Sequence, residues 1–148
     1  MNIRLARSEE TDALVEFNQA MARETEGKLL DTDILRSGVE AVFHDEKKGF
    51  YVVAEDAQRI VGGLMVTFEW SDWRGCWFWW IQSVYIRPEA RGQRVYSMLY
   101  DFVKARAAEA GNVFGFRLYV ESDNTHARAV YEKVGMEVSH YLMYEETL

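Results

Sequence analysis

Apolar and polar residues alternate from Asn2 to Ala6, which predicts a short first strand. The period then lengthens. Ala13, Leu14, Phe17, Ala20 and Met21 recur at helical spacing behind Ser8, a suitable N-cap, and Gly27 can end that helix after Glu26. A second helical pattern follows in Ile34, Leu35, Val39, Val42 and Phe43. Asp31 or Asp33 can cap it, and Lys47-Lys48-Gly49 closes it with charge suited to a helix C-terminus. Two β-rich runs, Phe50–Glu55 and Ile60–Phe68, flank Asp56-Ala57-Gln58-Arg59, so they read as a hairpin. Gly62-Gly63 within the second run points to a bulge or a close backbone approach. After the turn 70–75, the run Cys76–Ile86 is apolar on both faces, as expected for a central strand covered on both sides. A helix from about Gly92 to Ala110, a strand Val113–Val120, a short helix Asn124–Val134 and a last strand or strand pair Met136–Tyr144 complete the pattern. Consecutive strands favour antiparallel pairing and the later βαβ unit favours parallel pairing, so the sheet is mixed.

No repeat, low-complexity tract or linker interrupts the 148 residues, and we read 1–148 as one domain. Hydrophobic residues make up 49%, a globular composition. The net charge of −7 argues against a nucleic-acid partner, because phosphate backbones need a basic face. The longest apolar run is too short for a membrane span, and the N-terminus reads as lacking a signal segment. The single cysteine, Cys76, excludes an intrachain disulfide and fits a reducing, cytoplasmic setting. The histidines are scattered, so no metal site is inferred.

Against that acidic background, Arg87, Arg91 and Arg94 crowd one strand–turn–helix junction, Val84 to Tyr96. Such a junction aims free backbone N–H groups and the positive end of a helix dipole at one point, which suits an anion, most often phosphate. An ordinary turn with solvated arginines is the alternative.

Two stretches together resemble the GNAT superfamily of acyl-CoA-dependent N-acetyltransferases. One is Val84–Tyr96. The other is Asn124–Met136, with Asn124, Ala127, Tyr131, Gly135 and an apolar Met136 in the family's order. The resemblance implies an α/β (α+β) fold of order βααβββαβαβ, with a mixed, twisted sheet of about six to seven strands flanked by about four helices. It implies acetyl-CoA as donor and a primary amine as acceptor, attacked in a ternary complex. By the same resemblance Val84, Ile86, Arg91, Gly92, Gln93, Arg94, Val95, Tyr96, Asn124, Ala127 and Tyr131 would contact the donor. Asn124 would hold the pantetheine arm, and Tyr131 would protonate the departing thiolate. The usual turn places small residues where this chain has Arg94 and Tyr96. Gln82 stands near the family's frequent catalytic glutamate, and an amide is no base at neutral pH. Glu121 acting through water, or an amine that arrives neutral, are the alternatives. The acceptor pocket would draw on Glu24, Glu26, Trp70, Trp79 and Gln82, since carboxylates and aromatic faces attract ammonium groups. A small cationic amine is the leading acceptor. A protein N-terminus or lysine, and a non-catalytic acyl-CoA-binding regulatory module, remain the rivals. A homodimer stays open.

Overall fold

A computed structural model describes residues 1–148. The chain forms two compact units, residues 1–118 and residues 119–148.

The larger unit is built on a five-stranded sheet. Its strands are β1 (Asn2–Leu5), β2 (Phe50–Asp56), β3 (Arg59–Ser71), β4 (Cys76–Ile86) and β5 (Val113–Arg117), side by side in that order. β1 to β4 pair antiparallel, and β4 pairs parallel with β5. Three helices belong to this unit: α1 (Thr11–Glu26), α2 (Thr32–His44) and α3 (Val95–Ala110).

The local signals act as their chemistry requires. Gly27 takes a left-handed conformation and returns its N–H to the end of α1. Asp31 accepts the Ile34 N–H and caps α2. Ala57 and Gln58 both have positive φ, the geometry of a tight hairpin turn that matches strand twist. Ser8 does not cap α1 directly. A short 3-10 turn, Ser8–Glu10, comes first, and Glu10 receives the Arg7 N–H.

The sheet is covered on both faces. Tyr51 and Val53 of β2 join Leu14 and Val15 of α1 and Val39 of α2 in one buried cluster. The alternate residue Phe50 faces α3, where the Arg106 guanidinium lies 5.5 Å from its ring centre. Leu99 and Val103 of α3 are fully buried. This two-sided cover explains why β4 is apolar on both faces.

The smaller unit contains α4 (Thr125–Lys133). Asn124 caps it by accepting the Ala127 N–H at 3.1 Å. Gly135, at positive φ, closes it: its N–H donates to the Glu132 carbonyl, and the Met136 N–H donates to the Tyr131 carbonyl. That pair is a Schellman closure. Residues 136–148 form no strand. The expected sixth and seventh strands are therefore absent, and the observed order is βααβββαβα. A strand is defined by its ladder of backbone hydrogen bonds, so an alternating apolar pattern is not by itself sufficient to make one. No helix is long and apolar enough to cross a membrane.

Candidate active site at the open edge of the central strand

The site begins with a defect in the sheet. Along β3 and β4, Gly63 faces Tyr85 while Met65 faces Gln82, so β4 carries one extra residue in that interval. The extra residue is a β-bulge, and Ser83 within it has φ of 52°. A non-glycine residue at positive φ costs free energy and recurs at functional positions. The bulge also resets the alternation of side chains. Gln82 and Tyr85 both face α1 and α2, although three positions apart. Gln82 donates to the Thr67 hydroxyl, and Tyr85 packs on Phe17 of α1 with ring centres 5.3 Å apart. Glycine makes the neighbouring strand fit. A Cβ on Gly62 would lie 2.9 Å from the Ile86 Cδ1 and 3.1 Å from the Tyr85 carbonyl oxygen.

Beyond the bulge, β4 has strand pairing on one side only. Its ladder with β5 ends where Trp80 meets Arg117. On the other side, the Arg87 N–H donates to the Val61 carbonyl at 2.8 Å. Antiparallel parity then turns the backbone groups of Val84 and Ile86 away from β3, toward the side that β5 has left. The Ile86 carbonyl on that side accepts the Arg91 Nε–H at 2.9 Å.

The open edge leads to the N-terminus of α3. Gly92 and Arg94 both have positive φ, with values of 77° and 63°. The sequence lacks glycine at 94, yet the backbone adopts the conformation glycine would favour. Arg94 is the N-cap residue and supplies no side-chain cap; the first turn carries no acid. Val95 and Tyr96 are buried, with Tyr96 stacked on Tyr100 at 6.0 Å, so the bulky Tyr96 is directed into the core. Gln93 donates to the Glu89 carbonyl and Arg94 is exposed. The turn therefore presents unsatisfied N–H groups, a helix dipole and the Arg94 cation together.

Arg91, on the same turn, has a protein partner. Its Nη2 pairs with Glu24 of α1 at 2.8 Å, and the Tyr85 hydroxyl donates to the same carboxylate at 3.0 Å. The Arg91 ion pair holds the Glu24 carboxyl below its ordinary range, and burial raises the Tyr85 phenol. Glu24 is thus committed within this cluster, while Glu26 is exposed and pairs with Lys28 at 3.6 Å.

The tryptophans separate by face. Trp79 is 8% exposed and packs against Phe50 and Phe68 on the α3 side, opposite Gln82. Trp70 is on that side too, against Trp77 at 5.0 Å. Neither is brought to Gln82. The face carrying Gln82 instead holds Thr67 and Glu69 from β3, Phe78 and Trp80 from β4, and Arg117 from β5; of these, sequence reasoning missed Thr67, Phe78 and Arg117. Glu69 accepts from the Trp80 Nε1–H at 2.8 Å and from Arg117 at 2.9 Å. These bonds, the Trp80 one first, keep its carboxyl below the ordinary range. The Arg117 guanidinium lies 3.7 Å from the Phe78 ring centre. The Glu69-Trp80 spacing becomes visible only once the β3–β4 register is known.

In the smaller unit, the Asn124 carbonyl oxygen is used by the Ala127 N–H, which leaves its amide N–H₂ as the donor for any ligand. Tyr131 is half-buried, and burial raises its phenol above the ordinary range. Glu121 is exposed in the turn before α4, and its carbonyl accepts the Asn124 N–H.

Comparison with known proteins agrees with this architecture. A possible acetyltransferase from Clostridium difficile 630 is 43% identical, with 99% of this chain and 97% of that one covered and a TM-score of 0.92. A transcriptional regulator from Bacillus halodurans C-125 is 25% identical over 99% of each chain, with a TM-score of 0.80. A predicted acetyltransferase from Clostridium acetobutylicum, solved with acetyl-CoA, shares the fold at 19% identity, with 98% and 95% covered and a TM-score of 0.78. No curated protein sequence matches the chain. The profile of the acetyltransferase (GNAT) family matches residues 7–136, so it spans both units. By that match and by the 43% relative, the chain belongs to the GNAT acetyltransferase family and is an acyltransferase.

Proposed function

We propose that the protein transfers an acetyl group from acetyl-CoA to a primary amine on a small cationic molecule. The observation that carries this reading is the open edge of β4, which runs past Val84 and Ile86 to the arginine turn of α3. The donor fits this surface. An extended amide-bearing arm can exchange hydrogen bonds with an unpaired strand edge. An anionic end suits N–H groups and a cation at a helix start whose first turn carries no acid. When bound, acetyl-CoA supplies an activated thioester.

The chain's own residues supply the rest. Outward-facing N–H groups on β4 suit the oxyanion formed on attack. Tyr131, protonated at neutral pH, is the donor for the thiolate; Asn124 steadies the arm through its N–H₂. Gln82 orients and cannot remove a proton. The amine therefore arrives neutral or gives its proton to water, with Glu121 as the candidate carboxylate behind that water. Support for a cationic acceptor comes from Glu69, which is ionised and bordered by Trp80 and Phe78. Arg117 offsets part of that charge, which favours acceptors carrying both a positive and a polar group.

Calorimetric titration with acetyl-CoA tests the donor half. Binding is expected, and a Tm that rises with ligand concentration should accompany it. Arg94→Gly should fold at least as stably, because a left-handed non-glycine residue costs about 1–2 kcal/mol. It should nevertheless bind acetyl-CoA roughly three- to tenfold more weakly through loss of a charge-assisted contact, with the difference shrinking in high salt. Tighter binding by Arg94→Gly would show that the arginine obstructs the turn. No binding heat and no Tm shift at millimolar acetyl-CoA would remove the donor from the account.

A further inference from the structure

The open edge of β4 carries a side chain of its own turn. Arg91 folds back along the chain, and its Nε–H donates to the Ile86 carbonyl at 2.9 Å. That nitrogen stands where the backbone N–H of an added strand would stand, since ladder hydrogen bonds have the same N···O distance of about 2.9 Å. An extended arm that pairs with this edge therefore meets the Arg91 side chain at Ile86.

The guanidinium is held from its far side as well. Its Nη2 pairs with the Glu24 carboxylate of α1 at 2.8 Å. The Tyr85 hydroxyl donates to the other oxygen of that carboxylate at 3.0 Å, which fixes Glu24 in place. The guanidinium also lies 5.5 Å from the Tyr85 ring centre. The Arg91 and Glu24 side chains are 46% and 41% exposed, so their ion pair adds little to the stability of the fold. Its consequence comes from where it stands.

We propose that Arg91, held by Glu24, is a latch across the donor edge: it occupies the Ile86 carbonyl and swings out when the extended arm of the donor pairs with β4. Opening the latch lowers donor affinity by the free energy of the contacts it breaks. The freed guanidinium remains on the turn that carries Arg94, where an anionic donor end offers it a new charge-assisted partner. The inference rests on the acetyl-CoA reading of this edge.

S-acetylpantetheine tests it, because that compound has the arm and the thioester but no phosphate. Being neutral, it does not respond to the change of charge that a substitution at either position brings. Titration followed by NMR should show Arg91→Ala and Glu24→Ala binding it roughly two- to fivefold more tightly than wild type, the range for opening one exposed ion pair. Both variants should keep the circular dichroism of the wild type, since both side chains are half-exposed. Acetyl-CoA should then separate them. Glu24→Ala should bind it more tightly as well, whereas Arg91→Ala should gain less, having lost a cation for the phosphates. No gain in S-acetylpantetheine binding in one or both variants, while wild type binds acetyl-CoA, would overturn the latch and leave the donor reading standing. No binding of either compound by any of the three proteins would overturn the donor reading and the latch with it.

Discussion

Replacing Tyr131 with phenylalanine is expected to lower kcat by roughly ten- to ten-thousand-fold, the range for loss of one general acid. Burial raises the Tyr131 phenol above its ordinary value, so the hydroxyl carries its proton throughout the neutral range. A raised phenol pKa thus favours a proton donor and disfavours a base. The departing thiolate is the group that needs that proton. Acetyl-CoA affinity should change little, because the hydroxyl is required in the transition state more than in the ground state. The fold should persist as well. Tyr131 closes α4 through its backbone carbonyl, which phenylalanine retains. A thioester with a less basic leaving thiol should recover part of the lost rate. Wild-type kcat in Tyr131→Phe, with chemistry shown to limit turnover, would make the hydroxyl structural.

The largest expected stability effect is at Gly49. The residue is buried with φ of 143°, a conformation that L side chains rarely adopt. A Cβ there would overlap the Val66 carbonyl oxygen on β3, which is backbone and cannot rotate away. Gly49→Ala combines dihedral strain with this overlap, so its cost should be at least about 3 kcal/mol. For a chain of this size the corresponding fall in Tm is roughly 6–12 °C. Gly27→Ala is the control. Gly27 is also left-handed, but its Cβ would meet no atom within 4 Å, so only the dihedral term of about 1 kcal/mol remains. Equal Tm values for the two variants by calorimetry would contradict the steric argument.

Gly49 also marks where the sequence stops being informative. Its place after Lys47-Lys48 reads as a helix stop, which is a local signal. Its packing against Val66 depends on the β2–β3 register, a long-range property. The same division runs through the molecule. Gly27, Asp31, the 57–58 turn and the bounds of β4 were legible because each is set by residues within a few positions. Gly62-Gly63 announced a close approach, and the Ile86 side chain is what approaches. Ser83 gave no signal, since serine has no special preference for positive φ, and the bulge there decides which face Gln82 and Tyr85 share. The aromatic residues of β4 looked alike in sequence, but alternation sends Trp79 into the α3 core and Trp80 to Glu69. Arg91 looked like a phosphate ligand, and the fold gives it Glu24 as a partner. The Asn124–Met136 pattern was legible for a structural reason as well: it encodes an N-cap and a Schellman closure around one short helix. The role proposed for it at the reacting sulfur is a separate matter from that capping.

The central claim is acetyl transfer from acetyl-CoA to an amine. Release of CoA thiol, followed continuously over a panel of small diamines, amino-acid amides and lysine peptides, tests it most directly. The expected result is amine-dependent, multiple-turnover release with a matching acetylated product by mass spectrometry, fastest for a small cationic amine and much reduced in Tyr131→Phe. Thiol release no faster with any amine than without, from protein that binds acetyl-CoA, would contradict the claim and leave a non-catalytic acyl-CoA-binding module in its place.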